Sequence, residues 1–335
     1  MPDHHMPEKY MPEPNAPSSK VPERTGNPRR RRYARSAFPA SCASLTPVRL
    51  EILRFLAELR FLSLPQIAKL CCPSPRQDLS EKSARRHMRA LFDARLVDVL
   101  PVSRAALAPP GAPNDASLLY GSAPNVYAPA ARGLETLHRA GLADSQAAGR
   151  KKPAYGPKNS VFLAHELAVR DVRVWLELAA RVGGHELECW QDGEAAVISL
   201  DRQQAPFAVR PDAWFVLRLE RAVLVGLVEV DRGTERGERH WREKLDGFGA
   251  LFAGGRLPAV TGYVNARVLV IAPNARRRDQ LAELIGTCAE AALAQRFWLA
   301  SREGMEQPDV TQWFWKQPGN QKLQPLVPAT LLRDE

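Results

Sequence analysis

The chain has 335 residues, 45% of them apolar, with a formal net charge of +10 at pH 7 and a sequence pI near 9.6; that length suffices for two domains with their own cores, and the charge favours polyanionic partners. No apolar run approaches the roughly 20 residues needed to cross a bilayer, and the first residues carry proline and charge where a signal peptide needs an apolar core, so a soluble, cytoplasmic protein without membrane partners is expected. The cysteines, Cys42, Cys71, Cys72, Cys189 and Cys288, show no CxxC pairs, which argues against a disulfide framework or a zinc site.

Residues 1–43 are rich in Pro, Ser and charge and poor in large apolar side chains, so a disordered arm is expected. Within it, RTGNPRRRRYARS concentrates Arg29, Arg30, Arg31 and Arg32 with no acid between them. Such an arm neutralises phosphates and adds salt-sensitive affinity for nucleic acid; the plainer alternative is a solvated tail. From Thr46 the pattern turns helical. TPVRLEILRFLAELR offers Thr46 as N-cap, proline at the first helical position and Leu50, Leu53, Leu56 and Leu59 at three-residue steps. SLPQIAKLCC reads as a short second helix, and SEKSARRHMRALFDARL as a third with Ser80 as its N-cap.

Wound at about 100° per residue, the third helix places Lys82, Arg85, Arg86 and Arg89 on one face and Ala84, Met88 and Leu91 on the other. A strand in LVDVLPVSR, a loop from Arg104 to Gly121, and a strand and helix in SAPNVYAPAARGLETLHRAG complete the order of a winged helix-turn-helix over 44–143. In that arrangement the last helix of the triplet enters the major groove of double-stranded DNA. The alternative is a module used for protein docking or dimerisation.

Residues 144–160 read as a linker, 161–318 as an α/β domain and 319–335 as a tail. A long helix over VFLAHELAVRDVRVWLELAARVGG leads into strands HELECWQDG, VRPDAWFVLRL and AVLVGLVEVDR. A helix ERHWREKLDGFGALFAGG, a strand ARVLVIAP, a helix ARRRDQLAELIGTCAEAALAQ and a strand RFWLASR follow. The class is therefore α+β, with a mixed sheet flanked by helices.

The chemistry-bearing residues gather around one hairpin. If its turn is centred between Glu220 and Arg221, Asp212 lies directly across from Glu229. Like charges so placed are destabilising unless something compensates. Glu229 and Asp231 share a strand face, so three carboxylates would converge where a hard divalent cation, Mg²⁺ or Mn²⁺, takes oxygen ligands. On the next helix Trp241, Leu245, Phe248 and Phe252 form a buried stripe, and Lys244 falls on the same side, able to reach the acids or to snorkel outward. Glu166, between Phe162 and Val169, is a fourth candidate; pairing with Arg170 is the ordinary alternative. Trp214 shares the face of Asp212 and reads as core.

RPDAWFVL, LVEVDRGTER and the W-x-x-K of WREK resemble the replication-relaxation family of plasmid and mobile-element proteins, over roughly Thr46 to Arg302. The resemblance implies a part in plasmid replication or in DNA relaxation for mobilisation. The second domain is also similar to the PD-(D/E)XK, restriction-endonuclease-like superfamily. Pro211 and Asp212 match its PD and Glu229 its second acid. The superfamily's lysine would fall at position 231, where Asp231 stands; Lys244 could replace it from the following helix, and Glu166 could supply a first-helix acid.

Two functions compete. In the first, winged helix and arm bind duplex DNA and a Mg²⁺-dependent site of Asp212, Glu229, Asp231 and Lys244 nicks or cleaves it, with the protein associated with nucleoid or plasmid. In the second, the nuclease-like domain is a non-catalytic scaffold or homodimer interface of a replication or transcription regulator. A protein-interaction adaptor ranks behind both, and other replication proteins are candidate partners in each.

Overall fold

The computed structural model describes residues 45–100, 102, 125–142, 160–200, 207–233, 238–305 and 314–328. Arg29 to Arg32, the loop from Arg104 to Gly121 and residues 144–159 lie outside the described residues. Among the described residues no helix is long and apolar enough to cross a membrane.

Helix α1 (Pro47–Leu59) begins where the sequence places it: Thr46 accepts a hydrogen bond from the Arg49 amide at 3.4 Å, and Pro47 opens the helix. Its buried face is Ile52, Leu53, Phe55, Leu56 and Leu59. After β1 (Leu62–Ser63), α2 (Leu64–Cys71) starts on a reciprocal cap: Ser63 Oγ accepts from the Gln66 amide, and Gln66 Oε1 accepts from the Ser63 amide at 2.9 Å.

Helix α3 (Gln77–Asp93) departs from expectation at its start. Ser80 is not its N-cap but lies one turn inside, buried, with its hydroxyl reaching the carbonyls of Ala68 at 3.0 Å and Cys72 at 2.7 Å. Those carbonyls close α2, so Ser80 satisfies the end of one helix from the interior of the next. Ala84, Met88 and Leu91 face the core as the winding requires. Strands β2 (Val97–Leu100) and β3 (Val126–Pro129) form an antiparallel sheet with β1, in the order β1-β3-β2, and α4 (Ala131–Arg139) packs behind α1.

The second half starts with α5 (Ser160–Gly183), followed by β4 (Glu186–Asp192), a 3₁₀ turn, and a short hairpin of β5 (Ile198–Leu200) and β6 (Phe207–Val209). Next come β7 (Ala213–Arg218), β8 (Val223–Val230), α6 (Glu238–Ala253), α7 (Leu257–Thr261) and β9 (Arg267–Ala272). The single helix expected over 275–295 is two, α8 (Ala275–Cys288) and α9 (Ala291–Ala294). Extended backbone at Ala289 separates them, which turns the chain so that Ala294 packs inward before β10 (Phe297–Ser301). Strands β11 (Phe314–Trp315) and β12 (Gln324–Pro325) pair at the end, and Leu326 and Val327, expected in a tail, are buried.

The main sheet is mixed, in the order β10-β9-β8-β7-β4; β8, β9 and β10 run parallel and β7 is antiparallel to both β8 and β4. Both faces are covered, which is why its central strands are apolar nearly throughout. One face packs Phe215, Leu217 and Val228 against Val169, Val172 and Leu176 of α5. The other packs Trp214, Val225 and Leu227 against Trp241, Leu245 and Phe248 of α6 and Leu281 and Ile285 of α8. Phe215 pairs with Gly226, and its ring occupies the space a Cβ there would need, which helps fix the hairpin register.

Helix α5 serves two neighbours because its stripes differ. Positions 169, 172 and 176 are apolar and face the sheet. Positions 166, 170, 173, 177 and 181 are charged and face α1 and α2. Arg170, fully buried, donates from Nε to the Leu59 carbonyl at 2.8 Å and stacks 4.0 Å from the centroid of Phe61. Arg173 pairs with Glu58 at 2.9 Å and Glu177 at 2.5 Å, and Arg181 reaches the Leu70 carbonyl at 2.6 Å and Glu51 at 3.1 Å. Gln66 donates at 2.8 Å to both the Leu167 carbonyl and Asp171. Removing a buried partner such as Arg170 costs about 3–5 kcal/mol, and together these contacts fix α1 and α2 to α5.

Candidate active site

The hairpin register is the one read from the turn. Ala213 pairs with Val228, and the Asp212 amide donates to the Val228 carbonyl at 2.9 Å, which continues the ladder and sets Asp212 across from Glu229. Glu229 is 2% exposed, near the end of β8. Lys244 of α6 points inward and its ammonium donates to Glu229 Oε2, 5.4 Å from the centroid of the Trp241 ring. The lysine thus compensates the opposed acids from the helix, as its phase on the buried stripe implies.

His165, which sequence reasoning passed over, completes the group. Its Nε2 lies 2.9 Å from Asp212 Oδ1, while Asp212 Oδ2 accepts from the Val230 amide at 2.7 Å. A signal for it existed: His165 heads the sheet-facing stripe that continues through Val169, Val172 and Leu176. Phe162, one turn earlier, is 70% exposed.

Glu166 is not brought to this group. Its carboxylate bonds Arg170 at 3.0 Å and Arg60 at 3.3 Å, and Arg60 also holds Asp192 at 2.6 Å. Arg60 sits at φ 67°, a conformation uncommon outside glycine, at the end of α1. Nor does Asp231 join Glu229. Its Oδ2 is held by Arg277 Nε at 2.6 Å and its Oδ1 accepts from the Gly233 amide at 3.0 Å. Asp231 therefore builds the turn that ends β8, where Gly233 takes φ 72°.

Charge and burial act on Glu229, Asp212 and His165 in different directions. Burial pushes Glu229 up to about 7, and the charge of Asp212 adds to this; Lys244 offsets only part of it. Asp212 goes the other way. Burial opposes its charge, but the hydrogen bond and charge of His165, Lys244 and the Val230 amide together hold it below the usual carboxylate range. For His165, burial lowers the pKa, yet Asp212 outweighs it and the imidazole is raised. The two neighbouring carboxylates are thus driven in opposite directions.

Among the described residues no three of His, Cys, Asp and Glu are gathered to hold a metal ion. Asp212 and Glu229 nevertheless supply two opposed carboxylates, which is the protein share Mg²⁺ commonly takes, the remaining ligands being water and phosphate oxygens. Asp231 is held apart from that pair by Arg277.

On α3, Lys82, Arg85 and Arg86 are exposed. Arg85 leans to Glu81 at 3.7 Å, and Arg89, half-buried, is held by Asp93 at 2.9 Å. Three of the four expected cations thus face solvent, and the fourth is partly committed to its own helix.

No curated protein and no solved structure matches the chain. A family model described as replication-relaxation matches residues 53–265, more than half of the chain, from α1 through the hairpin and Lys244. The chain belongs to the replication-relaxation family.

Proposed function

We propose that the protein acts in plasmid or mobile-element replication or mobilisation, binding duplex DNA through a winged helix-turn-helix built on α1 to α4 and hydrolysing a phosphodiester at Asp212, Glu229, Lys244 and His165. The exposed cations of α3 support the binding half, since Lys82, Arg85 and Arg86 present charge on the face opposite the core. The observation that carries the catalytic half is the contact of Lys244 with Glu229 beside the Asp212–His165 pair. It supplies from α6 the lysine that position 231 lacks.

In this reading Asp212 and Glu229 would hold Mg²⁺ or Mn²⁺, which supplies polarisation of the phosphodiester and activation of water. His165 positions the Asp212 carboxylate from one side while the Val230 amide fixes it from the other. Lys244 places positive charge where it would offset charge developing on the phosphate. Arg277 and Asp231 hold the chain turn beside the site.

A second reading has its own observation. Every acid of the group is satisfied internally, Asp212 by two donors and Glu229 by Lys244, as a purely structural polar cluster would be. The domain would then be a scaffold for a DNA-binding regulator. Nicking of supercoiled DNA decides between them. The first reading expects Mg²⁺- or Mn²⁺-dependent nicking by the full chain, lost in Asp212→Asn and Lys244→Met with duplex binding retained; absence of metal-dependent nicking under all such conditions favours the scaffold.

A further inference from the structure

Beside the acid site, the carboxyl ends of β8, β9 and β10 carry a second group of charges. Asp231 continues the ladder past β8, its amide donating to the Ile271 carbonyl at 3.0 Å, and Ser301 of β10 pairs with Ala272 of β9. Arg232 and Arg302 each follow by one residue, so both leave the same edge of the sheet, two strands or about 10 Å apart. The turn that carries Arg232 lies against the residue following β9: a Cβ on Gly233 would stand 3.7 Å from Pro273.

Helix α5 links this group to the acid site. His165 meets Asp212 at 2.9 Å, and Asp171, six residues or about 9 Å further along the axis, meets Arg302 at 2.5 Å. Asp171 also accepts from Gln66 of α2 at 2.8 Å. Burial raises the Asp171 carboxyl above its ordinary range against the pull of Arg302, Gln66 and Lys69, so Lys69, exposed one turn along α2, is within electrostatic reach. Arg232 is half-buried; burial lowers its pKa, and the charge of Arg302 lowers it further.

Like charges at close quarters repel, and anions between them relieve that cost. Phosphates of a DNA strand, one per about 3.4 Å of axis, match a row of cations about 10 Å long better than one small anion does. The row is fixed by α2, α5 and the sheet edge, and Arg232 stands three residues from Glu229. We propose that Lys69, Arg232 and Arg302 form a ledge that holds phosphates of the DNA strand flanking the scissile bond, as positioning residues and not as catalytic ones. The ledge presupposes the DNA-processing function above and gives the cut strand a path, from Asp212 and Glu229 across the carboxyl ends of β9 and β10 toward α2.

Fluorescence anisotropy of a labelled single-stranded oligonucleotide with the full chain, across a salt series, tests this beside steady-state nicking of supercoiled DNA. Lys69→Gln and Arg232→Gln should each flatten the salt slope of binding by about 0.7, the loss of one phosphate contact on a single strand. In nicking, each should raise KM about three- to tenfold with kcat unchanged. Arg302→Gln also strips Asp171 of its partner, so it is read in the Asp171→Asn background, with the melting temperature confirming a folded chain, and the same flattening is expected. Slopes left unchanged by Lys69→Gln and Arg232→Gln in folded protein overturn the ledge, whether or not the chain nicks. A fall in kcat at constant KM also overturns it, and would place these residues at the reacting phosphate. Flattened slopes in a chain without metal-dependent nicking uphold the ledge as a DNA-binding surface and remove the catalytic reading alone.

Discussion

His165 and Glu166 are neighbours on one helix and belong to charge clusters of opposite character. Around Glu166 the cations are Arg60 and Arg170, the latter fully buried and tied to the Leu59 carbonyl. Arginine stays charged at any ordinary pH, and its fork binds in fixed geometry, so such a cluster sets structure. Around His165 the partners are Asp212, Glu229 and Lys244, all able to exchange protons, with the two acids pushed in opposite directions. One helix thus carries a rigid seam toward α1 and α2 and a titrating group toward the sheet. The chemical identity of the cation, arginine or lysine with histidine, separates the two better than burial does.

Substitutions on each side sharpen that contrast. The largest effect is expected at the seam: Arg170→Met leaves Glu166 and the Leu59 carbonyl without their buried donor and should lower unfolding free energy by about 3–5 kcal/mol, read by urea denaturation. Next comes the pH dependence of stability in metal-free buffer. Glu229 holds its proton in the folded state up to about 7 against a usual 4.5, so folded protein binds more protons than unfolded between those values. Its contribution is fully present below the lower value and lost as pH rises through the upper one. Glu229→Gln should remove that downward slope, visible in melting temperatures taken from pH 4.5 to 7.5.

Smaller still is the expected cost of His165→Asn, about 10- to 100-fold in nicking rate, because the residue positions Asp212 rather than meeting the phosphate. Its metal dependence should shift to higher Mg²⁺ concentration, which a purely structural histidine would not cause. The smallest effects belong to α3. Arg85→Ala and Arg86→Ala should each reduce the salt slope of duplex binding by about 1 without altering nicking per bound molecule, measured by fluorescence anisotropy across a salt series. A slope that does not move would take α3 out of the DNA interface.

The site was legible where local periodicity carries the information. A turn centre fixes an antiparallel register, so the opposition of Asp212 and Glu229 follows from the residues alone, and helical phase puts Lys244 on the side of Trp241 and Leu245. The paired acids of LVEVDRGTER divide in the structure, Glu229 to Lys244 and Asp231 to Arg277. Alternation along a strand predicts a shared face, but the strand ends at Val230 and the side chain of Asp231 closes the turn. Glu166 stands out in the sequence because Phe162 and Val169 flank it, but the charged stripe of α5 on which it lies faces α1 and α2. Its partners Glu58, Arg60 and Asp192 come from distant parts of the chain and leave no local trace. The two short hairpins, β5–β6 and β11–β12, give too few residues for a period to show.

The division of α5 is tested most directly by exchanging its two neighbours one at a time and following nicking of supercoiled DNA together with thermal melting. His165→Asn should slow nicking by about 10- to 100-fold while melting stays near wild type, and Glu166→Gln should lower the melting temperature by several degrees while folded protein nicks at the wild-type rate. Loss of nicking in Glu166→Gln with His165→Asn unaffected would contradict the assignment, and would move the site to the arginine seam.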